Sequence, residues 1–130
     1  MILFIVRIFK GSWFARFAAK EGISDSEIKN IVDNVLETGL AKADLGGGVY
    51  KVRISRPGEG KSSGYRVIVL FKSGLLTFFV YGFAKSSRGN ISSKELAEFK
   101  ETAKDWLSLS NDQLNKLIQG GKCQEIGANL

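Results

Sequence analysis

Two segments in the middle of the chain are almost continuously apolar. Residues 65–71 and 75–83 are runs of β-branched, aromatic and leucine residues, the make-up of strands in a sheet covered on both faces. Lys72, Ser73 and Gly74 between them suit a hairpin turn. Just upstream, residues 50–56 alternate apolar Tyr50, Val52 and Ile54 with polar Lys51, Arg53 and Ser55, the period of a half-buried strand. Residues 2–9 predict one more strand, expected at a sheet edge. The remaining apolar positions follow helical spacing. Phe14, Phe17 and Ala18 share one face of a short helix that Ser12 is placed to cap and Gly22 to close. Ser24-Asp25-Ser26-Glu27 is a capping-box pattern, followed by Ile28, Ile31, Val32, Val35 and Leu36 and stopped at Gly39. These two helices are expected to form a hairpin across one face of the sheet.

Gly46, Gly47 and Gly48 read as a flexible connector into the alternating strand. Past the sheet, Ser92-Ser93-Lys94-Glu95 repeats the capping box and leads Leu96, Phe99, Ala103, Trp106 and Leu107. Ser110-Asn111-Asp112-Gln113 does so again before Leu114, Leu117 and Ile118, with a stop at Gly120-Gly121. Residues 122–126 fit either a short strand or an extended tail. The predicted order is β-α-α-β-β-β-α-α, an α+β fold with a largely antiparallel sheet. At 130 residues the chain is expected to form one domain, with enough length for a core that needs no staples.

Charge changes this picture more than composition does. Hydrophobic and charged fractions of 44% and 25% are ordinary, but the net charge is +6 and its distribution is uneven. Residues 49–90 hold eight cations (Lys51, Arg53, Arg56, Lys61, Arg66, Lys72, Lys85, Arg88) against one anion, Glu59, so the rest of the chain is close to neutral. A basic surface concentrated on one sheet points to a polyanion, nucleic acid first and a membrane surface second. No run approaches the roughly 18 apolar residues of a membrane span. Arg7 interrupts the apolar N-terminus, which lacks a preceding basic region and a clear small-residue cleavage site. A cytoplasmic protein with no membrane partner is the expectation. Cys123 is the one cysteine and histidine is absent. No intramolecular disulfide can form, a reducing compartment fits, and the usual zinc ligands are missing, so no metal and no other cofactor is expected. Acid–base chemistry would fall to Lys, Arg, Tyr, a carboxylate or bound water.

Gly58-Glu59-Gly60-Lys61-Ser62 resembles the end of a phosphate-binding loop. The first glycine of that motif would have to be Ser55, and the segment joins two strands where the motif needs a helix. A nucleotide triphosphatase is therefore rejected, whereas a loop carrying Arg56 and Lys61 toward an anion stays open. Lys51 and Arg53, two apart on a strand, project from one face. Arg66 opens the next strand, and Lys85 and Arg88 follow the third. If the strand ends converge, these five cations can hold a phosphate backbone and stabilise charge on a phosphoryl group during cleavage. A solvated strand face with its long side chains kept apart accounts equally for the alternation. Among the aromatics of residues 50–83, most are too deep in apolar runs to stack bases. Tyr65 and Tyr81 are the two whose hydroxyls can be drawn into a groove. Trp13 and Trp106 read as packing or partner-contact residues.

Three blocks together carry a resemblance. They are Lys51-Val52-Arg53-Ile54, then Arg56-Pro57-Gly58-Glu59-Gly60-Lys61-Ser62-Ser63-Gly64-Tyr65-Arg66, then residues 79–92 with Phe79, Tyr81, Lys85, Arg88 and Asn90. With residues 13–18 and 43–48, they resemble the RelE/ParE toxin superfamily, and most of all the HigB-type toxins of type II toxin–antitoxin modules. The resemblance implies a RelE-like small antiparallel β-sheet packed against an N-terminal helical hairpin, with additional C-terminal helices. It implies an endoribonuclease, an mRNA interferase that cuts mRNA in the ribosomal A site, inhibits translation and is silenced by a cognate antitoxin, expected to be of helix-turn-helix type. By position it assigns catalysis to Lys51, Arg53, Arg66, Lys85 and Arg88, and RNA contacts to Arg56, Lys61, Tyr65, Tyr81 and Asn90. The chain departs from the RelE pattern at Ser86, where an arginine follows the lysine that ends the third strand, and at Ser92, where a catalytic tyrosine stands. Tyr65 and Tyr81 are the candidates for that tyrosine's role. Relatives on this scaffold inhibit DNA gyrase without cutting anything, so a non-nucleolytic inhibitor of gyrase or another protein is the alternative. An RNA-binding module without activity is a third reading.

Overall fold

In the computed structural model of the chain, residues 6–39, 42–55 and 64–127 are described. They build a six-stranded sheet in the order β2-β3-β4-β5-β1-β6. The strands are β1 (Arg7–Gly11), β2 (Lys42–Gly46), β3 (Val49–Ile54), β4 (Tyr65–Lys72), β5 (Leu76–Ala84) and β6 (Cys123–Glu125), and the helices are α1 (Ser12–Glu21), α2 (Asp25–Ile31), α3 (Ser93–Trp106) and α4 (Asn111–Gln119). A π-helical turn, Val32–Leu36, continues α2. Every neighbouring pair is antiparallel except β1 with β5. The fold is α+β with a mostly antiparallel sheet, and no helix among the described residues is long and apolar enough to cross a membrane.

The two apolar runs lie where their composition demands, at the centre of a sheet with helices on both sides. One face carries Val52, Ile54, Tyr65, Val67, Val69, Phe71 and Phe79 against Phe14, Ala18, Ile28, Ile31, Val32 and Leu36 of the N-terminal hairpin. The other carries Phe9, Val49, Ile68, Leu70, Leu76 and Phe78 against Ala103 of α3 and Leu114 of α4. Burying each large side chain of these sets contributes about 1.5–3 kcal/mol. Polar ties then fix the helices to the strands. Lys10 pairs with Asp25 at 2.7 Å, the Tyr65 hydroxyl donates to Glu21 at 2.7 Å, and Arg7 reaches Glu125, Asn111 and Asn115 together. Both C-terminal helices open with complete capping boxes at Ser92 and Ser110, each a stabilising contribution of about 1 kcal/mol.

Several expectations need correction. The N-terminal strand is not an edge: residues 1–5 lie outside the described residues, and Arg7–Gly11 is flanked by β5 and β6. The edge falls instead to β6, formed by the segment that read as strand or tail. Ser12 is not the cap of α1; it is the first helical residue, and Gly11 occupies the cap position without a side chain to offer. The glycine triplet is no loose connector. Gly46, Gly47 and Gly48 all take positive φ, which only glycine adopts without strain, and they close a tight hairpin between β3 and β2. That second strand, Lys-Ala-Asp-Leu-Gly, has no alternation and is poor in β-formers, so its pattern does not announce it.

The pairing of β4 with β5 contains one irregularity. Ile68 faces Tyr81 while Val69 faces Phe79, so Val80 is an extra residue, a β-bulge. A bulge shifts the phase of the strand after it. It turns Tyr81 and Phe83 to the α3 side and leaves Gly82 facing α1. A Cβ on Gly82 would lie 2.5 Å from the Phe17 ring. Gly82→Ala is therefore expected to lower stability by about 1–3 kcal/mol through overpacking. A urea-denaturation midpoint equal to that of the parent chain would show that α1 is not seated this tightly.

Candidate phosphate-binding site

The register of β3 on β4 places Arg53 directly opposite Arg66, and β4 on β5 places Arg66 opposite Phe83. Alternation puts Lys51 and Arg53 on the same face as Val49, the face covered by α3 and α4. α3 starts beside Tyr81, where Phe99 packs, and ends against the β2–β3 hairpin, where Leu107 meets Gly48. It leaves the β3–β4 end of this face uncovered. There a concave site of about 540 Å³ is lined by Ala43, Lys51, Arg53, Arg66, Lys85 and Gly89, and it reaches Lys42 at the β2 edge and Val35 of the π-helical turn.

Four of the five cations assigned to catalysis thus meet at one cavity. Arg53 is exposed, Lys51 is half-buried, and Arg66 is only 6% exposed at the base. Burial pushes the Arg66 guanidinium below its ordinary value, and the facing Arg53 pushes it further. An arginine stays charged even so. Like charges directly opposite in a ladder destabilise the pair, and Arg53 makes no ion pair among the described residues. Lys51 and Lys85 are held by neutral acceptors: Lys51 donates to the Asn90 side chain and Lys85 to the Gly89 carbonyl, both at 3.3 Å. A cluster of cations with this geometry is a receptor for an anion with several oxygens, such as a phosphodiester.

The fifth cation is elsewhere. Arg88 does not line the cavity. It grips Glu95 through two hydrogen bonds of 2.7 and 3.1 Å, donates to the Tyr81 hydroxyl at 3.0 Å, and stacks over the Tyr81 and Phe83 rings. The ion pair raises the Arg88 value and draws the Glu95 carboxyl from 4.5 down to about 2, with help from the Ser92 amide. A carboxyl lowered on folding adds stability that is complete above its ordinary value and fades as pH falls from there toward 2.

The RNA-contact residues divide as well. Asn90 touches the site through Lys51. Tyr65 does not: it is buried on the α1 face, one residue out of phase with Arg66, with its hydroxyl on Glu21. Tyr81 faces the right side, but its hydroxyl is engaged by Arg88 and its ring is packed against Trp13 and Phe99. Arg56 and Lys61 lie outside the described residues. Trp106 packs on Phe78, whereas Trp13 is 41% exposed beside Tyr81. Sequence reading passed over Glu95 as a functional residue because its capping-box position explained it fully. Its place seven residues after Arg88 was the available signal.

A family model described as the RelE toxin of the RelE/RelB toxin–antitoxin system matches residues 6–126. No curated protein matches the chain.

The opposed arginines predict a conflict between stability and binding. Arg53→Thr is expected to stabilise the fold by about 0.2–1 kcal/mol at low salt, because it removes the cross-strand repulsion, and the gain should shrink as salt is added. Denaturation at two ionic strengths checks this. A loss of stability at low salt would mean that Arg53 is already neutralised within the chain.

Proposed function

Because the chain belongs to the RelE toxin family, we propose that it is the toxin of a type II toxin–antitoxin module and acts as an mRNA interferase, cutting mRNA on the ribosome and so inhibiting translation. The observation that supports this reading is the meeting of Lys51, Arg53, Arg66 and Lys85, from two adjacent strands and the loop after a third, at a single cavity. The chemistry comes from what such a cavity offers. A phosphodiester seated against Arg66 and Arg53 presents its phosphorus to the neighbouring ribose 2′-hydroxyl. That oxygen attacks, the bond to the 5′-oxygen of the next nucleotide breaks, and a 2′,3′-cyclic phosphate and a 5′-hydroxyl result. The two guanidiniums neutralise charge that builds on the phosphorane oxygens, where fixed donors are most effective. Lys51 or Lys85 gives a proton to the departing 5′-oxygen, and the proton of the attacking 2′-hydroxyl passes to water.

A cognate antitoxin is the partner in this reading, and an acidic or amphipathic segment of it would match the basic stretch of residues 49–90. The protein then works in the cytoplasm, on ribosomes and mRNA. The test is induction of Arg66→Ala without antitoxin. The variant is expected to lose growth arrest, and the new transcript 5′ ends on translating ribosomes should fall by about 10²–10³-fold, the cost of removing one charge-stabilising donor. Undiminished arrest would remove Arg66 from the site. DNA supercoiling followed in parallel separates the alternative: relaxed DNA with intact mRNA would assign the chain to the gyrase inhibitors.

A further inference from the structure

Resting on that reading, we propose that Glu95 is the positioning residue of the cation site, and that Arg88 serves it as a clamp and does not contact phosphate. The Glu95 carboxylate does two things at once. Its Oε1 accepts from the Ser92 amide at 2.8 Å, closing the capping box of α3, and from Arg88 Nη2 at 2.7 Å. Its Oε2 accepts from Arg88 Nη1 at 3.1 Å. Arg88 spends its other donors inside the protein, Nη1 on the Tyr81 hydroxyl and Nε on the Asn90 carbonyl, both at 3.0 Å. A guanidinium has five N–H groups, and four are used here. Its charge is matched by a carboxylate, and its central carbon lies over the Tyr81 and Phe83 rings, 5.9 and 5.5 Å from their centroids. A phosphate could take it in two-pronged fashion only by displacing Glu95.

What the clamp holds is the loop between β5 and α3. Arg88 fixes the Asn90 carbonyl, and the Asn90 side chain in turn accepts from Lys51 at 3.3 Å. Gly89, between them, accepts from Lys85 at 3.3 Å. Lys51 and Lys85 are therefore both steered by one short loop, and the loop is pinned to the first turn of α3 by Glu95. The N-terminus of a helix on the far side of the loop sets where two ammonium groups stand relative to Arg53 and Arg66. Displacements of about 1 Å in such groups cost on the order of a hundredfold in rate.

The test uses the full chain with Glu95→Ala, Glu95→Gln, Arg88→Ala and the double variant Arg88→Ala/Glu95→Ala. Two quantities are read: single-turnover cleavage of mRNA on programmed ribosomes, and the salt dependence of binding to a short single-stranded RNA oligonucleotide. The clamp predicts that each single alanine variant slows cleavage about a hundredfold and that the double variant is no slower than the worse single one, since both remove the same unit. Glu95→Gln keeps an acceptor for the Ser92 amide, so it should fold like the parent and still cleave slowly. The salt slope should stay at the parent value for Arg88→Ala, while Arg53→Ala flattens it by about 0.7, the loss of one phosphate contact on a single strand. Parent-like or faster cleavage by Glu95→Ala or Glu95→Gln overturns the proposal, as does an Arg88→Ala slope flattened like that of Arg53→Ala. An unchanged slope for Arg53→Ala overturns the RNA-site reading itself, and the clamp with it.

Discussion

The pairing register of β3 on β4 is the constraint on which the site depends. It sets Arg53 against Arg66 across the ladder, an arrangement that repulsion alone would undo. The register is held because β4 is apolar on both sides. Tyr65, Val67, Val69 and Phe71 belong to the core under the N-terminal helices, and Ile68 and Leu70 to the core under the C-terminal ones. A slip of one residue would exchange these sets and send Lys51 and Arg53 to the opposite face. Two hydrophobic cores thus force cations together at the end of the sheet that the C-terminal helices leave uncovered.

The helices serve this arrangement differently. α1 and the α2 hairpin seat the sheet through packing, with Phe17 pressed on Gly82 and Glu21 on Tyr65. α3 contributes at its first turn. The same Glu95 that caps the helix is tied to Arg88, and through the 85–91 loop to Lys85 and Lys51. The bulge at Val80 links the two, because it brings Tyr81 and Phe83 under the Arg88 guanidinium. A local irregularity of β5 is in this way part of the site's construction.

Much of this was legible in the chain. The alternation of residues 50–56 put Lys51 and Arg53 on one face, and the serine capping boxes marked the starts of α3 and α4. The apolar runs of β4 and β5 called for a sheet covered on both sides. What was not legible arose from tertiary context. β2 carries no strand pattern and exists because a run of positive-φ glycines folds it back on β3. The bulge leaves no mark in composition, so the facing of Tyr81 could not be read. Tyr65 and Arg66, adjacent in a recognisable block, fall on opposite faces and have different work. Arg88 looked like one more free cation until its carboxylate partner, a turn into the next helix, came into view.

The central claim is that Lys51, Arg53, Arg66 and Lys85 form one receptor for an RNA phosphate. It is tested most directly by NMR titration of the labelled protein with a short 2′-O-methylated RNA, which cannot be cut. The account predicts that side-chain signals of these four residues shift together, with one saturating curve that weakens as salt rises. Shifts centred on another surface, or four residues responding with unrelated curves, would contradict it.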